Sequence, residues 1–139
     1  MFLEVVKRAK LKYGFKIENF CIMGNHFHFI MQPEEGVSLS AVMRWVLSVF
    51  AMTYNRVHKL CGHVWGERFF SRIIAGLREY LQIFLYIDAN PLNAGLVGDI
   101  NDWRFSGRAH IREGCREIIG AVPPWLLLVV PGCRQLCLE

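Results

Sequence analysis

The sequence predicts an α+β fold in one domain, and three observations carry that expectation. Apolar residues recur at helical spacing over residues 2–12, 39–59 and 78–89. Between the first two stretches, residues 16–22 and 26–31 read as strands joined at Gly24-Asn25. The length of 139 residues suits a single domain over 1–139 and hardly two.

Each element has its own signals. FLEVVKRAKLK alternates apolar and basic groups, and Gly14 is its stop. KIENFCI and HFHFIM flank the Gly24-Asn25 turn as the arms of a hairpin. Pro33 to Gly36 is a loop, after which Ser38 caps the long helix 39–59 on a stripe of Val42, Val46, Val49 and Phe50. Cys61-Gly62 ends it. Residues 64–76, rich in Phe and Ile, read as an irregular lead into a strand. A helix from Arg78 to Ala89 carries Leu81, Phe84, Leu85 and Ile87 on its core side and stops at Asn90-Pro91. Residues 108–119 carry a weaker helical pattern, and about 120–139 form a tail of unassigned structure.

Composition narrows the classes. With 53% hydrophobic and 20% charged residues, the chain has enough apolar surface to offset chain entropy, which excludes disorder. No window reaches the eighteen or so uncharged apolar residues of a membrane span, and no secretory signal is visible, so a cytoplasmic protein with no membrane partner is expected. Lys and Arg number 16 against 12 Asp and Glu, a surplus that permits nucleic-acid binding without establishing it. The five scattered Cys read as free thiols.

Two constellations carry chemistry. On a strand, His26 and His28 share a face, a ready pair of divalent-metal ligands that needs a third from elsewhere. A lone His-x-His is more often a hydrogen-bonded pair on a half-exposed strand. Tyr86 and Asn90 lie four apart on one helix face, with Gln82 a turn earlier and Glu79 beside it. Asn90 offers a hard amide oxygen suited to Mg²⁺ or Mn²⁺. Taken alone, Tyr86 is more often a boundary aromatic and Asn90 a C-cap. If the helix packs on the strand face, a tyrosine hydroxyl meets a metal, the arrangement for attack on a phosphodiester.

MGNHFHFIMQP (23–33), YNRVHKLCGHVWGERFF (54–70) and YIDANPLNAGLV (86–97), in that order, resemble the REP-associated branch of the single-tyrosine HUH transposases. The segments span most of residues 20–105, although Gly24 stands where the family commonly has Pro. The resemblance implies an endonuclease and strand transferase in which two His bind a divalent metal, Mg²⁺ or Mn²⁺. A Tyr cleaves single-stranded DNA, becomes joined to the 5′ phosphate and releases a 3′ hydroxyl. Carried over by residue, it implies metal on His26, His28 and Asn90 and the nucleophile at Tyr86. Gln82 or Glu79 then supports the site. The implied fold is a ferredoxin-like antiparallel sheet with helices packed on it, lacking the family's first strand.

Rival meanings stand beside these. Arg68, Arg72 and Arg78 are DNA-binding candidates or ordinary solvated arginines. Trp65 and Trp103 stack on unpaired bases or, more often for such residues, fill the core. Tyr54 and Tyr80 are alternative nucleophiles, and Tyr80 has no matching Asn-Pro. His58, Cys61 and His63 lack a convincing fourth zinc ligand. Helix 39–59 fits a homodimer interface and core packing equally well. The expected function is transposition on single-stranded or hairpin DNA. The alternative is a catalytically inactive DNA-binding relic.

Overall fold

The computed structural model describes residues 1–120 together with Pro123, Trp125 and Leu126. It is an α+β chain of four α-helices and a small two-stranded sheet among these residues. The chain divides into two compact units, Met1–Phe15 with Pro33–Ile73, and Lys16–Gln32 with the chain from Ile74 onward. No helix among the described residues is long and apolar enough to cross a membrane.

In the first unit, α1 (Phe2–Lys12) buries Phe2, Val5, Val6 and Ala9, the i, i+3, i+4, i+7 face expected of its pattern. α2 (Leu39–His58) packs against it through Val42, Met43 and Val46. Ser38 accepts from the Ala41 N–H at 3.3 Å, and Lys59 in the left-handed region (φ 54°) closes the other end. Trp65 fills the core as the bland alternative had it. Its ring meets Phe2 and Phe50, and its Nε1–H donates to the Leu47 carbonyl at 3.0 Å.

The strand expected within 64–76 does not form. Phe70 and Ile73 are 88% and 91% exposed, and no described strand runs beside them to complete a ladder. Alternating β-branched and aromatic residues make a strand only where a neighbour pairs with them.

In the second unit, β1 (Phe15–Ile22) and β2 (Phe27–Pro33) form the hairpin, their outermost residues Phe15 and Pro33 belonging to the first unit. Met23 N–H donates to the His26 carbonyl at 2.8 Å across the turn. α3 (Leu77–Asn93) buries Phe84 and Ile87, which join Cys21 and Ile30 of the hairpin in one core cluster. Each such side chain contributes about 1.5–3 kcal/mol. Leu85 departs from the expected core side and is 42% exposed.

α3 also runs past its expected stop. Pro91 lies inside it, denying the Ile87 carbonyl its usual N–H. The turn completes nonetheless, because Ala94, Gly95 and Leu96 donate to Asn90, Leu92 and Pro91 at 2.9–3.0 Å, and Pro91 is buried. A 3₁₀ turn (Ile100–Asp102) leads to α4 (Gly107–Arg112), capped by the Ser106 hydroxyl. α4 is shorter than the expected 108–119 because Gly114 enters the left-handed region at φ +68°.

Gly107 is hemmed in. A Cβ there would collide with Asn19 Oδ1 and Ile119 Cδ1 and crowd the Phe20 nitrogen. Gly107→Ala is therefore expected to destabilise the protein by about 1–3 kcal/mol, read as a lower urea midpoint at unchanged slope. An unchanged midpoint would show that the neighbours yield freely.

Candidate active site

The hairpin and α3 bring together the four side chains singled out by sequence. His26 and His28 project from the same face of the hairpin, their ring centroids 5.2 Å apart. α3 delivers Asn90 between them. His26 Nε2 lies 3.2 Å from Asn90 Oδ1, and Asn90 Nδ2 donates to His28 Nε2 at 3.3 Å. One turn back on the helix, the Tyr86 ring stands edge-on to His28 at 5.6 Å, and Tyr86 is 54% exposed.

The neutral, ligating form of the His28 imidazole is favoured here. Burial, and then the neighbouring His26, hold the His28 imidazole below its ordinary range, so its lone pair stays available. His26 has an amide oxygen at each ring nitrogen, Asn25 Oδ1 at 2.7 Å from Nδ1 and Asn90 Oδ1 at 3.2 Å from Nε2. A neutral imidazole carries one N–H, so it donates to one oxygen and turns a lone pair on the other. Two imidazole nitrogens and an amide oxygen crowded in this way fit a divalent ion with mixed nitrogen and oxygen preference. Among the described residues no three His, Cys, Asp or Glu gather to hold a metal, so amide oxygen or water completes any donor set. His58, Cys61 and His63 are accordingly no cluster of that kind.

The other candidates separate. Gln82 is exposed one turn before Tyr86. Glu79 turns to the start of α3, its carboxylate accepting from the Ala75 N–H at 2.8 Å. Arg78 is exposed in the first turn of α3, and Arg68 and Arg72 are exposed in the first unit. Tyr80 has a buried hydroxyl, and burial pushes its ionisation far above the tyrosine range, which disarms it as a nucleophile. Tyr54 stacks between Phe50 and His58. Trp103 is anchored, its Nε1–H donating to the Ile22 carbonyl at 3.0 Å. Cys21, Cys61 and Cys115 are free, and burial raises the Cys21 thiol to about 11, leaving it protonated and inert. Cys133 and Cys137 lie outside the described residues, as does most of the 120–139 tail.

Behind the four residues lies a buried polar set that the pattern analysis passed over. Asn19 on β1 is fully buried and donates to Asp88 Oδ1 at 2.9 Å and to the Phe84 carbonyl at 3.3 Å. Asp88 pairs through Oδ2 with Arg108 at 3.4 Å, both side chains nearly inaccessible. Arg108 Nε donates in turn to Asn101 Oδ1 at 2.8 Å. The available signal was Asp88 itself, a carboxylate on the helix side that otherwise carries Phe84 and Ile87.

The family described as "Transposase IS200 like" matches residues 1–90, through Tyr86 to Asn90. The chain belongs to the IS200-like transposase family. This IS200-like chain is similar to the REP-associated tyrosine transposase of Escherichia coli K12, 27% identical over 109 residues, 76% of this chain and 62% of that protein. It is likewise similar to a putative REP-associated tyrosine transposase of Haemophilus influenzae, 24% identical over 115 residues, 76% of this chain and 65% of that one. It thus spans less than two thirds of the length of these curated relatives. A solved REP-associated tyrosine transposase bound to a REP hairpin shares the fold, with a TM-score of 0.69 at 23% identity over 88% of this chain and 72% of that one.

Proposed function

We propose that this IS200-like chain is a metal-dependent transposase that cleaves and rejoins single-stranded, hairpin-associated DNA. The observation that supports it is the convergence of His26 and His28 from the hairpin with Asn90 and Tyr86 from α3. The REP hairpin bound by its solved relative supports hairpin DNA as the substrate class.

Tyr86 is the nucleophile. Its phenolic oxygen, giving its proton to water, attacks phosphorus, the bond to the 3′ oxygen breaks, and that oxygen leaves as a 3′ hydroxyl after taking up a proton from water. The 5′ phosphate is then esterified to Tyr86, and attack by a 3′ hydroxyl reverses the step and frees the tyrosine. No nucleotide energy source is needed, because each phosphoester bond is exchanged for another. His26, His28 and Asn90 hold the metal ion, and Asn25 orients the His26 ring. When bound, Mg²⁺ or Mn²⁺ polarises the phosphate and offsets charge on the leaving oxygen. Gln82 is a supporting group near the nucleophile, Glu79 a more remote one, and Arg68, Arg72 and Arg78 neutralise backbone phosphates. The same proposal includes a single transposase domain with a ferredoxin-like sheet, a cytoplasmic setting and a homodimer. Sedimentation of the purified protein tests the homodimer.

The alternative function is DNA binding without cleavage. Covalent capture separates the two. The protein is incubated with labelled single-stranded hairpin oligonucleotides and Mn²⁺, then run on a denaturing gel. A protein–DNA adduct supports the transposase. Salt-sensitive binding to oligonucleotides that bear REP-like hairpins, with no adduct, supports the relic. His26→Ala/His28→Ala is expected to abolish Mn²⁺ binding by calorimetry and the adduct with it, and retained Mn²⁺ binding would sink the ligand assignment.

A further inference from the structure

Asp88 lies between Tyr86 and Asn90 in sequence, but two residues along a helix is about 200° of rotation. Its carboxylate therefore leaves α3 on the side away from the site, into the protein, where the residue is only 5% exposed. There it joins three segments. Asn19 reaches it from β1, the strand that leads through the Gly24-Asn25 turn to His26 and His28. Arg108 reaches it from α4, and Arg108 is itself tied to Asn101 in the 3₁₀ turn.

The Asn19 amide has no freedom in this arrangement. Its Nδ2 donates to Asp88 and to the Phe84 carbonyl of α3, while its Oδ1 accepts from the Phe20 N–H at 2.8 Å. The hairpin is thereby bonded to α3 at two points one helical turn apart, Phe84 and Asp88. A slip of α3 by one residue is a translation of about 1.5 Å and a rotation of about 100°. Such a slip would break both bonds and carry Asn90 out of reach of the two imidazoles, whose contacts are already 3.2 and 3.3 Å.

We propose that Asp88 is the positioning residue of the site: bridged between Asn19 and Arg108, it fixes the register of α3 on the hairpin so that Asn90 and Tyr86 meet His26 and His28. In its catalytic consequence this rests on the function proposed above. It adds that the geometry is set from the buried side of the helix, by groups that touch neither DNA nor metal.

Two substitutions separate positioning from mere stability. Asp88→Glu keeps the charge for Arg108 but adds a methylene between helix and strand. Asp88→Asn keeps the length and an oxygen for Asn19 but removes the charge that faces Arg108. Positioning predicts that Glu damages the site more than Asn does, while Asn lowers the melting temperature more than Glu. A purely structural role predicts that site damage follows the melting temperature in both. Ile111→Ala, a buried change in α4, is the stability control.

The first readout is NMR of the His26 and His28 imidazoles in the metal-free protein, which needs neither cleavage nor DNA. Both rings are expected to shift in Asp88→Glu and to stay close to wild type in Ile111→Ala. The second is Mn²⁺ affinity, expected to fall about 10–100-fold in Asp88→Glu, the range for losing a group that orients ligands. The third is kcat with KM for the oligonucleotide, with kcat falling about 100-fold for an ångström of misplacement and KM little changed. Imidazole signals and Mn²⁺ affinity that track the melting temperature across all three variants would overturn the proposal. A wild type that binds Mn²⁺ yet forms no adduct would instead count against the proposed cleavage and leave the imidazole comparison decisive for Asp88.

Discussion

Tyr86→Phe is expected to abolish the covalent protein–DNA adduct while leaving the fold, Mn²⁺ binding and oligonucleotide binding in place. The substitution deletes one oxygen from a side chain that is 54% exposed and keeps the ring that stands against His28. A surface change of that size moves stability by about 0.5 kcal/mol or less, so loss of the adduct reads as chemistry. The gel used for capture checks it, with a melting curve and an Mn²⁺ titration beside it. Tyr80→Phe is the matched control, since its hydroxyl is buried and held protonated, and its adduct should persist. An adduct that survives Tyr86→Phe would move the nucleophile elsewhere in the chain.

The second large effect is on stability. Asp88→Ala removes the carboxylate facing a guanidinium whose side chain is 8% exposed. Stripping one partner from a buried pair costs about 3–5 kcal/mol, because the remaining charge is left in a poor solvent. Asp88 is not itself comfortable. Burial raises its carboxyl above the ordinary value of 3.8, against the opposing pulls of Asn19 and Arg108. The folded state therefore takes up a proton at Asp88 more readily than the unfolded chain. Considered alone, this group favours folding most below 3.8 and loses that contribution as pH rises through its raised value. The two effects have opposite signs, and the stranded Arg108 is the larger at neutral pH. Replacing both partners, as in Asp88→Leu/Arg108→Met, should accordingly recover most of the loss. Chemical denaturation of the wild type and both variants checks the ordering, and a double variant as unstable as Asp88→Ala would refute it.

Much of this was legible in the chain. The strand period put His26 and His28 on one face, and the helix period put Tyr86 four residues before Asn90, both local properties of the backbone. The segments around them were distinctive enough to point to the family. The misreadings came where tertiary context overrides a local rule. Pro91 breaks helices when its lost hydrogen bond is not offset, but here burial and three later N–H bonds carry α3 to Asn93. Phe70 and Ile73 look like strand residues yet have no described strand beside them. Asp88 went unread, because Asn19 and Arg108, which surround it, are distant from it in sequence.

The sequence separation within the site has a consequence for synthesis. Asn90 lies 64 residues after His26 and 62 after His28, while Asp88 follows Asn19 by 69 and precedes Arg108 by 20. A ribosome adding about 5–20 residues per second completes the hairpin several seconds before α3 exists and adds Arg108 later still. During that interval the two histidines have no Asn90 to meet and no tyrosine beside them. A nascent chain cut short before α3 would present the hairpin without Tyr86 or Asn90. The four side chains of the site can therefore meet only once α3 has been made, and the Asp88–Arg108 pair that braces α3 forms only after α4 has followed.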